Sequence, residues 1–111
     1  MNLEERIELL EFQVELLFNN TGIDRYLYET KVTKKQWNML MDLMDEYRKK
    51  IDQEQSVHHA EFENKVYQLI PEKMGDYHFC ELIAKLLMEE DRWPEVFPAL
   101  YGDMPKYKGI K

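Results

Sequence analysis

Two apolar periods are superposed along residues 3–17. Leu3, Ile7, Leu10, Val14 and Leu17 are spaced four, three, four, three, and Leu9, Phe12 and Leu16 form a second set. At about 100° per residue the second set lies roughly half a turn from the first, with Glu4, Glu8, Glu11 and Glu15 along one flank. A helix that is apolar on two sides can turn one stripe to its own core, and the other then needs a further partner. In heptad terms Ile7 and Val14 fall at a, and Leu3, Leu10 and Leu17 at d, the seam of a coiled coil. These five residues are the expected oligomer interface.

The same reading carries through the rest of the chain. Asn2 with Glu5 three residues on is a capping box for the first helix, which Asn19-Asn20-Thr21-Gly22 should stop. A short helical turn is expected over residues 23–31. Thr33-Lys34-Lys35-Gln36 is a second capping box, followed by Trp37, Leu40, Met44, Tyr47 and Ile51 on one face of a helix expected over 34–54. Met39 and Met41 interleave with Leu40 and Leu43 and read as core rather than as a docking groove. Ser56 is the expected cap of a helix carrying Phe62, Val66, Leu69 and Ile70, which Pro71 ends. Asp76 should cap the stripe Phe79, Leu82, Ile83, Leu86 and Leu87, and Trp93-Pro94 should start a last short helix.

Alternating strand patterns and internal repeats are missing, so the fold class is all-α, a bundle of about four to five helices. The expectation is one helical domain over residues 1–102 and a flexible C-terminal tail over 103–111. The tail carries Pro105, Gly109 and three lysines and cannot build a core, although Tyr107 and Ile110 could dock on a neighbour.

Composition narrows the partners. The chain has 111 residues, 44% of them hydrophobic, enough for a core without metal or disulfide staples. A formal charge of -7 disfavours nucleic acid, whose affinity comes mainly from clustered Lys and Arg. The basic groups Lys31, Lys34, Lys35 and Arg48, Lys49, Lys50 sit at expected helix ends, where the dipole explains the second trio. No uncharged stretch is long enough to span a membrane, no export signal opens the chain, and the single cysteine cannot form an internal disulfide. A cytoplasmic protein is therefore expected.

Candidate chemistry is sparse. His58 and His59 are adjacent and diverge by about 100° on a helix, so they do not form a zinc-binding face, although Glu54 and Glu63 stand four residues to either side. They read as solvated residues at a helix start. His78 and Cys80 diverge by about 200° and cannot act as base and nucleophile, and Cys80 reads as a buried small hydrophobe. With no phosphate loop and no GxSxG or HExxH motif, no catalytic residue, metal or cofactor is expected.

The order of an acidic capped first helix, the connector Tyr26-Leu27-Tyr28, the capped helix at Thr33-Lys34-Lys35-Gln36 and the segment Trp93-Pro94-Glu95-Val96-Phe97 resembles the YhaI-like family, small uncharacterised proteins of spore-forming Gram-positive bacteria. The resemblance implies a multihelical, intertwined, oligomeric cytoplasmic protein and supplies no activity. Two function classes follow from the residues. The first is a non-enzymatic assembly or adaptor protein, a homo-oligomer (dimer or trimer) that contacts a protein partner. The second is a small-molecule binding or catalytic protein whose site, at a subunit interface, is lined by Tyr26, Tyr28, Trp37, Tyr47, Tyr77 and the histidines.

Overall fold

A computed structural model describes residues 1–104 and Lys106. The chain is all-helical: α1 (Leu3–Asn19), α2 (Gly22–Glu29), α3 (Lys34–Asp52), α4 (His59–Leu69), a 3-10 turn (Pro71–Lys73), α5 (Tyr77–Glu89) and α6 (Val96–Tyr101), with no strand among the described residues. It divides into two compact units, Met1–Met39 and Leu40–Lys111. Most of the tail expected over 103–111 lies outside the described residues.

Helix starts follow local chemistry. In α1 the Asn2 side chain accepts the Glu5 N–H at 2.8 Å and the Glu5 carboxylate accepts the Asn2 N–H at 3.1 Å, satisfying two otherwise orphaned donors. Asn20, at φ 51°, closes α1 in the left-handed conformation that asparagine tolerates. The next residue opens α2 through a capping box that the sequence reading did not anticipate, Thr21 with Asp24. The Thr33–Gln36 box opens α3 as expected, with bonds of 3.0 and 3.1 Å.

Helix ends are less orthodox. Lys31, Glu54 and Asp91 are left-handed at φ 57°, 60° and 59°. Each is followed by a residue whose N–H reaches five positions back: Val32 to Leu27, Gln55 to Lys50 and Arg92 to Leu87. These are Schellman closures built without glycine, so the usual stop signal is missing from the sequence. The closure at Glu54 delays the next helix. Residues 55–58 have no regular structure, and α4 starts after His58, which makes no side-chain cap. Ser56 is therefore not the cap expected of it.

The last helix also starts later than the sequence suggested. Trp93 is left-handed at φ 45°, and its indole N–H donates to Asp45 at 2.7 Å. The Arg48 and Arg92 guanidinium groups lie 5.8 and 5.4 Å from its ring centroid, and Arg48 pairs with Glu95. The Trp93-Pro94-Glu95 segment is pinned to α3 by these contacts, and the helix begins only at Val96.

In the first unit α1 packs against α2, and Phe12, Leu16, Ile23, Leu27, Val32 and Trp37 are buried. In the second unit α4, α5 and α6 pack on one another around Phe62, Val66, Phe79, Ile83, Leu87, Val96, Phe97 and Tyr101. Leu40, Leu43, Met44 and Tyr47 of α3 are buried, in keeping with a core role for that face, whereas Met39 and Met41 are half-buried. Gly102 admits no side chain, because a Cβ there would lie 2.4 Å from the Pro98 carbonyl oxygen.

Tyr47 is fully buried, stands edge-on to Phe62 at 5.2 Å, and is flanked by the Lys50 and Lys65 ammonium groups at 4.9 and 5.3 Å. Among the described residues its hydroxyl has no hydrogen-bond partner in place. A buried hydroxyl without a partner opposes folding, so Tyr47→Phe should leave stability unchanged or raise it by up to about 1 kcal/mol, measured by urea unfolding.

Candidate self-association face and an acidic cleft

Helix α1 has two sides with opposite fates. Phe12 and Leu16 are buried and Leu9 is half-buried, so the second apolar set faces inward. The five seam residues Leu3, Ile7, Leu10, Val14 and Leu17 are all exposed, between 47% and 70%, and Phe18, at 88%, widens the stripe at its C-terminal end. Projected at about 100° per residue, the exposed apolar arc is roughly 100° wide and lies opposite the buried pair. Its two borders differ in charge. Glu4, Glu8, Glu11 and Glu15 line one, and Arg6 and Gln13 line the other. Among the described residues, Glu15 alone of the acidic border has an ion pair, an exposed one to Lys34 at 3.4 Å.

A second feature lies wholly within the Leu40–Lys111 unit. An open cleft of about 490 Å³ is lined by His59 and Glu63 of α4, Tyr77 and Glu81 of α5, and Met104 and Lys106. Glu81 is only 2% exposed, and both of its carboxylate oxygens accept from the Lys106 ammonium, at 2.9 and 3.1 Å. That ammonium also lies 5.8 Å from the centroid of the Tyr77 ring. Glu63 accepts the Tyr101 hydroxyl proton at 2.8 Å, and the Tyr101 ring lies 5.6 Å from His59.

Burial of Glu81 follows from its neighbours on α5. Phe79, Ile83, Leu87, Cys80 and Ala84 sweep an arc of about 140°, and the small side chains Cys80 and Ala84 let the helix settle far enough to take in Glu81 at the edge. Leu82 and Leu86, expected in the stripe, are half-buried instead. The signal was a carboxylate next to small residues on an apolar helix, easily mistaken for the polar border of the stripe. His59 was likewise expected to be solvated. It is half-buried against Tyr101, and of the two histidines His58 is the exposed one.

The expected aromatic lining is divided. Tyr77 and His59 line the cleft, whereas Trp37 and Tyr47 are buried. No group of three or more His, Cys, Asp or Glu side chains is arranged to hold a metal ion among the described residues. No described helix is long and apolar enough to cross a membrane.

Cys80 is fully buried, and burial, reinforced by the Glu63 charge, pushes its thiol up to about 12, far from a reactive thiolate. Burial also pushes Tyr67 and Tyr47 up to about 12, and raises Tyr101 together with its hydrogen bond to Glu63. All these groups hold their protons more tightly folded than unfolded. The stability they contribute is complete below the unfolded values of about 8.5 for Cys and 10 for Tyr, and falls as pH rises toward 12. Thermal unfolding should therefore show a falling midpoint from about pH 9 upward, less steeply in Cys80→Ala.

No family model, curated protein or solved structure matches the chain. Its functional reading rests on its own residues.

Proposed function

We propose that the chain is a non-enzymatic assembly protein that works as a homo-oligomer, with α1 as the shared seam and protein-protein contacts as its output. The observation that carries this reading is the exposed row Leu3, Ile7, Leu10, Val14 and Leu17 on a helix whose opposite side is already buried. The occupant of that row is a second copy of α1.

Charge supports this choice and sets the direction. In a parallel pair, position g of one helix faces position e of the next, so Arg6 meets Glu11 and Gln13 meets Phe18. In an antiparallel pair the acidic borders would face each other, setting Glu4 of one copy against Glu11 of the other. Like charges across a seam are unfavourable, which selects the parallel arrangement.

The energy is adequate for reversible association. Covering the exposed parts of five aliphatic side chains on each of two copies is worth about 1 kcal/mol per side chain, roughly 10 kcal/mol in all. That is similar to the cost of association, about 4 to 15 kcal/mol, so the oligomer should dissociate on dilution. A setting in the cytoplasm suits the one buried free cysteine.

Cross-linking tests the seam and its direction together. Leu3→Cys and Leu17→Cys chains, each oxidised alone, should form disulfide dimers, because d positions face d positions in a parallel pair. Disulfides that form only when Leu3→Cys is mixed with Val14→Cys would indicate an antiparallel seam, in which d positions face a positions. The absence of cross-links in both experiments would argue against α1 as the interface.

A further inference from the structure

We propose that residues 93–95, between α5 and α6, form a two-state strap: charged contacts close it on α3 at low ionic strength, and salt releases it into the extended conformation that a residue before proline prefers. This inference concerns the second unit only and does not depend on self-association through α1.

Trp93 carries the strain. Its φ of 45° lies in the left-handed region, where a bulky side chain is an outlier, and the residue before a proline is ordinarily extended. Strain of this kind weighs on the order of tenfold or more against a conformation, so it persists only where other contacts hold it. The chain is anchored on both sides of the strap. The Arg92 N–H closes α5 on the Leu87 carbonyl at 2.8 Å, and Val96, Phe97, Leu100 and Tyr101 of α6 are buried in the core. Opening is therefore confined to Trp93, Pro94 and Glu95, and gives up the turn bond from the Val96 N–H to the Trp93 carbonyl, 3.1 Å long.

The contacts that hold the closed form are charged and lie near solvent. The Trp93 indole N–H donates to the Asp45 carboxylate at 2.7 Å, Glu95 pairs with Arg48, and the Arg48 and Arg92 guanidinium groups lie 5.8 and 5.4 Å from the indole centroid. Asp45 is exposed, and the Arg48 and Glu95 side chains are 41% and 32% exposed. A hydrogen bond to a charged group favours closure by roughly tenfold or more, and an ion pair this exposed by at most about fivefold. The opposing effects are thus of similar size, as a two-state element requires. They respond differently to ions. The Debye length shrinks from about 10 Å at 0.1 M salt to about 3 Å at 1 M, which weakens each charged contact, whereas torsional strain is untouched. Salt therefore moves the strap toward the open form, turning the indole to solvent and leaving Asp45 and Arg48 of α3 available to other contacts.

Solvent exchange of the Trp93 indole proton reads the strap directly. The chain has two tryptophans, so the isotopically labelled full chain gives two indole resonances, and Trp93→Phe identifies the one that is lost. From about 20 mM to about 1 M sodium chloride, Trp93 exchange should quicken about threefold or more relative to the buried Trp37, with the amide shifts of Phe97, Leu100 and Tyr101 unchanged. Asp45→Ala, at an exposed position, should exchange rapidly even at the lowest salt and lose most of the salt response. Pro94→Ala, which lifts the restriction on Trp93, should exchange more slowly at every salt concentration. Exchange that ignores salt, exchange in Asp45→Ala no faster than in the natural chain, faster exchange in Pro94→Ala, or α6 amides that shift together with the indole would overturn the proposal.

Discussion

Val14→Asp should abolish the proposed self-association through α1 and leave a folded monomer. Val14 is 66% exposed in the single chain, so a carboxylate there stays hydrated and costs the monomer little. In the seam the same carboxylate would lie at an a position against its own copy, losing hydration with no cation in reach. An unpaired buried charge costs several kcal/mol per copy, comparable to the whole gain from closing the seam. Association should weaken by about a hundredfold or more, seen as single-chain sedimentation with an unchanged helical circular dichroism spectrum. An oligomer that survives the substitution would place the contact elsewhere.

The second large effect is on the core. Phe62 is fully buried on α4 and meets Tyr47 edge-on, so Phe62→Ala leaves a cavity lined by groups that cannot close around it. A loss of about 3 to 5 kcal/mol is expected, a large share of the roughly 5 to 15 kcal/mol that a domain commands. Phe18→Ala is the matching control. Phe18 has the same side chain but is 88% exposed, so unfolding should be within about 0.5 kcal/mol of the natural chain. Urea unfolding of the two variants at a concentration where the chain is monomeric separates core from surface.

The sequence carried the helices well wherever local chemistry acts alone. The Asn2–Glu5 and Thr33–Gln36 boxes, the Asn20 stop and the Asp76 cap, whose side chain accepts the Phe79 N–H at 3.0 Å, all involve residues within three or four positions of each other. Legibility was lost at the ends closed by Lys31, Glu54 and Asp91, because nothing in those side chains announces a left-handed backbone. Trp93-Pro94 misled for a related reason. Proline suits the first turn of a helix, but contacts from Asp45 and Arg48, more than forty residues earlier, hold this segment in a turn.

The site was legible in unequal parts. The two apolar sides of α1 could be read directly, since a helical period shows both stripes, although only the structure assigns Phe12 and Leu16 to the inside. The acidic cleft could not be read, because Glu81 looks like any other polar residue on an amphipathic helix. It sits at the edge of the buried face beside the small residues Cys80 and Ala84, and its partner Lys106 lies twenty-five positions away in the segment read as a flexible tail. Glu63 was considered only as a metal partner of His59, and His59 also as a solvated residue or part of a pocket lining. Tertiary packing instead gives Glu63 the Tyr101 hydroxyl and His59 the Tyr101 ring.

Light scattering on the natural chain over a dilution series, from about a hundred micromolar to below one micromolar, is the most direct measurement of self-association. The account predicts a mass of two or three chains at the top of the range, falling toward 13.6 kDa on dilution. A constant single-chain mass throughout, with the helices intact, would contradict it.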